Sequence, residues 1–446
     1  MRSLLPLAGA VALAGALGAS ALPSAAGPSF ASARSYGTGA APNLVAVGDL
    51  NGDAKADLAI ANGGIDAAMG AVSVHFNRGD GAFPSRRDFA TGRNPESVAI
   101  GDLNGDGSPD LATANGDVST LSVLLNRGGG RFQARRDYPS GSEPFSVAVG
   151  DLNGDGYPDL ATANGGASTA SVFLNNGDGS FRARVDYRTG HGPQSIAIAD
   201  LNGDGAPDIV TANGEDPAHS VSVLVNNGAG GFRAKADYPT GPGPVDVAIG
   251  DLNGDGKPDL ATANFSANTA SVLLNGDGSF RARVDYRTGH GPQSIAIGDL
   301  NGDGSPELAI TNFDQLSAVS VLPNRGDGSF EPKIDFRTGR SPGSVAIGDL
   351  NGDGKQDLVT ANFAANTVSV LLNTPGRCTV QNVRGRTLSV ARRTIARAGC
   401  RIGQLRLDYS KFVRKGRVIS QVPKFGTVLR GGGKVNLVVS RGRRHS

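Results

Sequence analysis

Asp251-Leu252-Asn253-Gly254-Asp255-Gly256-Lys257-Pro258-Asp259 is one of seven near-copies of a nine-residue phrase. The copies begin at Asp49, Asp102, Asp151, Asp200, Asp251, Asp299 and Asp349, at intervals of 53, 49, 49, 51, 48 and 50 residues. A regular period near fifty predicts stacked supersecondary units that share one body, here from about residue 30 to 376. Around the quoted copy, residues 245–249 alternate and are apolar, which reads as a strand. Leu260 to Ala263 reads as a second strand and Ala270 to Leu274 as a third. The turn Asn275-Gly-Asp-Gly-Ser then leads into Phe280 to Tyr286, a fourth. Four short antiparallel strands per unit make a propeller blade.

Seven blades would close a ring, and the two ends of the repeat body support closure over a linear solenoid. The last unit reaches its third strand at residues 368–372 and stops at Asn373-Thr-Pro-Gly, without a Phe-to-Tyr strand. The missing piece stands at the other end, where Phe30 to Tyr36 and Gly37-Thr-Gly match Phe181 to Tyr187 and its Thr189-Gly turn. An N-terminal strand completing the seventh blade would hide the edges that an open stack exposes. Residues 181–198 recur unchanged at 280–297, and blades this uniform argue against one specialised catalytic blade.

The phrase also carries chemistry. Positions 1, 3, 5 and 9 present carboxylate or amide oxygens, position 7 offers a backbone carbonyl, and Gly at position 6 permits a sharp left-handed turn. Calcium takes six to eight oxygens at about 2.3–2.6 Å, so these groups plus water suit it, whereas zinc prefers nitrogen or sulfur. The expected ligand sets are Asp49/Asn51/Asp53/Asp57, Asp102/Asn104/Asp106/Asp110, Asp151/Asn153/Asp155/Asp159 and Asp200/Asn202/Asp204/Asp208. They continue as Asp251/Asn253/Asp255/Asp259, Asp299/Asn301/Asp303/Glu307 and Asp349/Asn351/Asp353/Asp357, for up to seven structural ions. The competing reading is a hydrogen-bonded Asx turn without metal. Ala54 at position 6 of the first unit and Glu307 at position 9 of the sixth mark the sites expected to be weakest.

Charge is split along the chain. Residues 30–376 hold 24 Lys and Arg against 40 Asp and Glu, net −16, and residues 377–446 hold 18 against Asp408 alone, net +17. Seven divalent ions would nearly neutralise the repeat body. The basic tail has no internal explanation of that kind, and a charge of this size suits a polyanion.

Arg2, the apolar run Leu4 to Leu17 and small residues up to Ala26 read as a cleaved secretory signal over residues 1–26, with an uncleaved anchor as the alternative. No later segment is apolar enough to span a membrane. In an exported chain the only cysteines, Cys378 and Cys400, would form a disulfide, with free thiols as the alternative. The five histidines stand in no nucleophile motif, and there is no Gly-x-Ser-x-Gly, HExxH or P-loop, so no enzyme is expected.

In these repeats the calcium loop, the following Leu-Ala strand and the Gly-Ser-Phe turn recur in register. They resemble the FG-GAP/VCBS repeats of integrin α-like propellers and of many secreted bacterial proteins. The resemblance implies a seven-bladed propeller over residues 27–373, with calcium in the loop between the first and second strands of each blade. It puts the Thr-Gly-x-x-Pro turns and the variable turns after Asn62, Asn115, Asn164, Asn213, Asn264, Asn312 and Asn362 on the opposite face, where a protein or glycan ligand would bind. The most distinctive parts of that face are residues 63–70 and 215–219, beside His191, Gln194, His290 and Gln293. Arg78-Gly-Asp80 and Arg325-Gly-Asp327 read as the blade turn that elsewhere is Asn-Gly-Asp-Gly, not as adhesion motifs.

After a linker at 374–376 the character changes. Leu388, Ala391, Ile395 and Ala398 fall on one helical face ended by Gly399, and strands follow near 417–421 and 435–440. Val383-x-Gly385-x-x-Leu388-x-x-Ala391, Ala398-Gly399, Gly416 through Pro423-x-x-Gly426, and Val435 through Ser440-x-Gly442 together resemble a PASTA domain over 377–442, followed by a basic tail at 443–446. The expected whole is an all-β propeller followed by a small α+β PASTA-like domain. PASTA domains are associated with peptidoglycan, so the expected role is an extracellular binding or adhesion scaffold held at cell wall or another polyanion. Nucleic acid is not an expected partner, because the tail has only three aromatic residues and the chain is expected outside the cell. The alternatives are a lectin-like multivalent glycan binder and, further off, a polysaccharide-active enzyme.

Overall fold

The computed structural model describes residues 27–64, 70–215, 219–313, 317–374, 377–430 and 433–443. The expected leader at 1–26, most of the 63–70 insertion, the centre of the 215–219 turn and most of the linker lie outside these residues.

Among the described residues, seven four-stranded antiparallel sheets follow one another. In the fifth unit the strands are Pro244–Gly250, Asp259–Asn264, Thr269–Leu273 and Val284–Arg287, in that order from inside to outside. The second strand is buried along its whole length in every unit, as Asp259–Asn264 is. The outermost strand is mostly exposed. It is also shorter than the sequence suggested. Phe280 leaves the ladder, keeping an isolated bridge to Asn275, and its ring packs edge-to-face on Tyr238 of the preceding unit, 5.1 Å between centroids.

That aromatic step recurs between neighbours. Phe89–Phe132, Tyr138–Phe181, Tyr187–Phe232 and Tyr286–Phe330 repeat it at 4.9 to 5.5 Å. Each such pair adds about 0.5–1.5 kcal/mol beyond its burial. The seventh sheet draws on both ends of the repeat body. Arg34–Gly37 pairs antiparallel with Thr367–Leu371, Arg34 opposite Val370 and Gly37 opposite Thr367. Phe30 in turn packs on Phe336 of the sixth unit, and Tyr36 on Phe83 of the first. The inner strand Pro342–Gly348 packs against Pro42–Gly48, and one apolar cluster joins Val45, Leu58 and Ile60 to Leu350, Val359 and Val370.

The C-terminal unit has its own core, in which Ala391 and Ile395 of the helix Leu388–Arg397 meet Val380, Val383, Val418, Val435, Leu437 and Val439. Gly399, at φ +69°, turns the chain out of the helix, where an L side chain would be strained. Strand Arg401–Asp408 then runs parallel to Lys434–Ser440, which also pairs with Val418–Val422. The parallel strand was missed in the sequence because its side chains are largely exposed and show no clean alternation.

Candidate metal loops and the face opposite them

Each nine-residue phrase links the inner strand to the second strand of its unit. In the fifth unit the Asp251 carboxylate folds the loop around itself. Its Oδ1 accepts the Gly254 N–H at 2.7 Å and the Asp255 N–H at 3.2 Å, and its Oδ2 accepts the Gly256 N–H at 2.9 Å. Asp49, Asp102, Asp151, Asp200, Asp299 and Asp349 hold their own loops from position 1 in the same way. Position 6 is left-handed throughout: Gly256 has φ +86°, and Ala54 is held at +61° in the first unit.

At positions 3 and 5 the structure departs from the expectation that the side chains converge on one ion. The amide oxygens of Asn51, Asn104, Asn153, Asn202, Asn253, Asn301 and Asn351 turn back on the loop. They accept the N–H two residues on, from Asp53, Asp106, Asp155, Asp204, Asp255, Asp303 and Asp353, at 2.8 to 3.0 Å. Those aspartates in turn accept the N–H groups of Lys55, Ser108, Tyr157, Ala206, Lys257, Ser305 and Lys355, at 2.8 to 3.1 Å. Asn104, Asn153 and Asn253 also donate to the carboxylates of Asp106, Asp155 and Asp255. The reason is reach, since a short Asn or Asp side chain meets the amide two residues on before it meets another carboxylate. These bonds are those of the Asx turn that competed with the metal reading. Position 5 is exposed in every loop but the sixth, where Asp303 is half-buried.

Position 9 is the interior anchor. Asp259 Oδ2 accepts the Leu252 N–H and Oδ1 accepts the Asn275 N–H. Asn275 then donates its side-chain N–H groups to the carbonyl of its own Pro258 and to Leu201 of the preceding loop, both within 2.9 Å. All seven units repeat this tie through Asn77, Asn126, Asn175, Asn226, Asn275, Asn324 and Asn373. Asn77 reaches Leu350 and Asn373 reaches Leu300. Sequence reasoning missed these asparagines as functional, although six of them open the turn between the third and outer strands and Asn373 stands where the last unit stops.

Burial raises the proton affinity of the position-9 carboxylates. Burial pushes the Asp57 carboxyl up to about 6, with Asp53 and Asp49 adding to it against the N–H groups of Asn77 and Leu50. Asp110, Asp159 and Asp357 reach about 6 for the same reasons, and Asp208 and Asp259 shift upward too. Glu307 is pushed furthest, to about 8, by burial and then Asp303. Its longer side chain also binds the amide of Asn301 at 2.7 Å, which engages the position-3 side chain differently from the other loops.

The structure thus gathers positions 1, 3, 5 and 9 of every phrase in one loop without bringing their side chains to a common point. No group of three or more His, Cys, Asp or Glu side chains stands at metal-holding distance among the described residues. The donor set is nonetheless all oxygen, and burial keeps the inner carboxyl from ionising freely. The residues therefore fit a hard divalent cation chemically.

Arg78-Gly-Asp80 is the turn between the third and outer strands, and Arg78 pairs with Asp80 itself. Arg325 pairs with Glu331 at 3.0 Å, and Asp327 caps the Ser329 N–H. In the C-terminal unit Cys400 is buried, while the side chain of Cys378 lies outside the described residues. A cleft of about 1100 Å³ is lined jointly by Asp299, Asn301 and Asp353 of the loops and by Arg392 and Arg401 of the C-terminal unit. No helix among the described residues is long and apolar enough to cross a membrane.

At the opposite end of the inner strands lies a cavity of about 390 Å³, lined by the second and third residues of those strands and by Phe265, Phe313 and Phe363. Asp246, Gln194 and Gln293 line it as well. Of these the sequence had singled out only Gln194 and Gln293.

Comparison with known proteins places this geometry in a family. Six overlapping segments, 49–113, 102–162, 151–211, 200–262, 251–310 and 299–360, match the FG-GAP-like repeat, and the chain belongs to that family. Residues 379–441 match the PASTA domain. Among solved structures, BBS1N, crystallised in complex with ARL6DN and soaked with lead, is similar at 14% identity and a TM-score of 0.55. The match covers 77% of this chain and 96% of that one, and supports a propeller-like fold. An Agrocybe aegerita lectin, whose structure concerns recognition of non-reducing terminal N-acetylglucosamine, aligns at 18% identity and a TM-score of 0.46, over 76% of this chain and 97% of the lectin.

Proposed function

We propose that this chain is an exported, calcium-stabilised binding scaffold without catalytic activity, built as a closed seven-bladed propeller and held at cell wall or another polyanion by its C-terminal domain. The observation that carries this reading is the joining, in one chain, of an acidic FG-GAP-like repeat body to a PASTA-matching unit of opposite charge. Closure is supported by the Asn77–Leu350 bond, by the pairing of Arg34–Gly37 with Thr367–Leu371 and by the Tyr36–Phe83 contact, each a counterpart of bonds between other neighbours.

Calcium in the loops would be held by the seven sets named above. It would supply the positive charge that the buried position-9 carboxylates lack. The Asn that reads each of those carboxylates also bonds the preceding loop, so filling one loop would stiffen the joint between two units. The Cys378–Cys400 disulfide belongs to the same reading, since it would staple the first strand of the C-terminal domain to the helix end.

A polyanion would meet a dense basic surface on the C-terminal domain. Tyr409 and Phe412 are exposed there, with Arg441 over the Tyr409 ring at 5.8 Å and Lys411 over Phe412 at 5.0 Å. Co-sedimentation with insoluble cell wall, in calcium, tests the reading by comparing the mature chain with one ending at Gly376. Pelleting of the longer chain alone assigns anchoring to the C-terminal domain. Pelleting of both moves wall recognition to the propeller, the lectin-like alternative. Pelleting of neither overturns wall localisation.

A further inference from the structure

The third residue of the inner strand is serine in five units, and Leu44 and Asp246 in the other two. Ser97, Ser195, Ser294 and Ser344 each accept a backbone N–H from the next unit, at 3.3 to 3.4 Å from Val147, Val247, Val345 and Val45. In the fifth unit that position is Asp246. Its Oδ2 accepts the Ile295 N–H at 2.9 Å, the same stitch between units, and its Oδ1 takes the Ser195 hydroxyl at 2.7 Å and the Val247 N–H at 2.9 Å. A serine could take the Ile295 N–H as well, but the carboxylate also receives the hydroxyls of Ser195 and Ser294 from the two neighbouring units. No other joint at this position uses a carboxylate, and burial holds the proton affinity of this one above the ordinary carboxylate range.

Glu96 also lines the cavity, where the side-chain amides of Asn94 and Asn43 donate to it at 2.6 and 3.1 Å. Neither acid has an ion pair among the described residues, and no Lys, Arg or His lines the cavity. Its mouth is as uneven as its floor. Directly after the buried Asn of the second strand, units one to four carry Gly63, Gly116, Gly165 and Gly214, whereas units five to seven carry Phe265, Phe313 and Phe363. None of those four glycines has a positive φ, but a Cβ would stand 2.5 Å from the Asn94 side chain at Gly63 and 2.3 Å from Phe145 at Gly165, so there close approach of a neighbour keeps the position small. The three phenylalanines stay about 40% exposed, and Phe313 and Phe363 lie 6.0 Å apart.

We propose that this cavity binds an organic cation on an apolar stem, an alkylammonium group or a lysine side chain, with Asp246 and Glu96 receiving the charge and the arc of phenylalanines receiving the stem. The volume is that of an ordinary small-ligand site. An unpaired acid in a partly desolvated wall gains most from a cation, and aromatic faces add about 0.5–2 kcal/mol to such a guest. The idea rests on reading the turn face as the recognition face. It does not depend on wall anchoring or on metal in the loops.

The test is titration of the full chain by calorimetry with 4-phenylbutylammonium, with the neutral 4-phenylbutanol and with 4-phenylbutyrate. The ammonium should bind at one site per chain at least about tenfold more tightly than the alcohol, and the carboxylate more weakly still. D246S puts there the serine that most other units carry, so the chain should still melt as one cooperative transition, at a somewhat lower temperature, while the preference for the cation is abolished. F313A should weaken ammonium and alcohol alike. A peptide with one central lysine, tighter than the free amine, would identify the guest as a side chain of a protein partner, and the reverse would identify a small amine. Equal binding of ammonium and alcohol, or an unchanged preference in D246S, would overturn the proposal. Wall co-sedimentation would stand through such a failure, because the titration contains no wall.

Discussion

The two faces of the repeat body were written under different rules. On the loop face, seven units repeat the same oxygen positions, the same left-handed sixth residue and the same asparagine tie to the preceding loop. On the turn face the same backbone carries Gly in four units and Phe in three, and the inner-strand position that is Ser in five units is Leu44 in the first and Asp246 in the fifth. Repetition marks what every joint needs. Departure from it, where the backbone would accept the common residue, marks what a single site needs.

The comparison breaks if the loop face does not dominate stability. Chelation of calcium should produce the largest effect on the molecule. At about 1 mM calcium and about 0.1 mM affinity each loop contributes about 1.4 kcal/mol, and seven contribute about 10. A melt with and without chelator checks this, and an unmoved transition would remove calcium from the account.

His75 comes next, as a departure on the buried third strand. Its counterparts are Leu124, Phe173, Leu224, Leu273, Leu322 and Leu371, and it is 2% exposed with neither ring nitrogen hydrogen-bonded. Burial, helped by Arg86 against Asp88, lowers its pKa to about 4. The unfolded chain takes up a proton near 6.5 and the folded chain near 4, so stability present above 6.5 is lost as pH falls through that window. The loss amounts to about 3 kcal/mol at pH 4. H75L should remove that part of the acid sensitivity and raise the melting point at pH 7, since it replaces two unsatisfied buried groups with apolar surface. Urea melts at pH 7 and pH 4.5 on both proteins measure it.

Ala54 sharpens the comparison on a smaller scale. Held at φ +61° where six units have Gly, it carries strain that A54G should relieve by about 1 kcal/mol, seen as a higher melting temperature in calcium. The turn face should respond least. F313A changes an exposed side chain and should shift stability by less than about 0.5 kcal/mol. A larger loss would make the phenylalanine arc a packing element rather than a mouth.

Legibility in the sequence follows the same division. The loops could be read directly as loops, because Asp251, Asn253, Asp255 and Asp259 all act within nine residues, and local chemistry leaves a local pattern. Which partner each oxygen takes was less plain. Asn253 and Asp255 serve the backbone two residues on, and spacing alone suits that bond and a shared cation equally. Strand order inside a unit was clear from apolar runs such as 260–263. The ends of the outer strands were not, since Phe280 answers to Tyr238 of another unit rather than to its own ladder. Nor could the cavity be read. Asp246, Glu96 and Phe363 lie up to 267 residues apart in the chain, and only the arrangement of the inner strands makes them neighbours. The strand Arg401–Asp408 was hidden for another reason: it is held by parallel pairing along one edge, which leaves little trace in hydropathy.

The seam in the seventh sheet has a mechanical meaning. The chain leaves the repeat body just after Thr367–Leu371, a strand flanked by Asp357–Asn362 on one edge and by the N-terminal Arg34–Gly37 on the other. Beyond it, Thr374 donates its N–H to Ser29 at 2.7 Å, and Ala31 donates to Leu372 at 2.8 Å. A pull delivered through the C-terminal domain therefore enters along a strand gripped on both sides. The load runs in shear across two ladders at once, so many bonds must fail together before the seventh sheet can part.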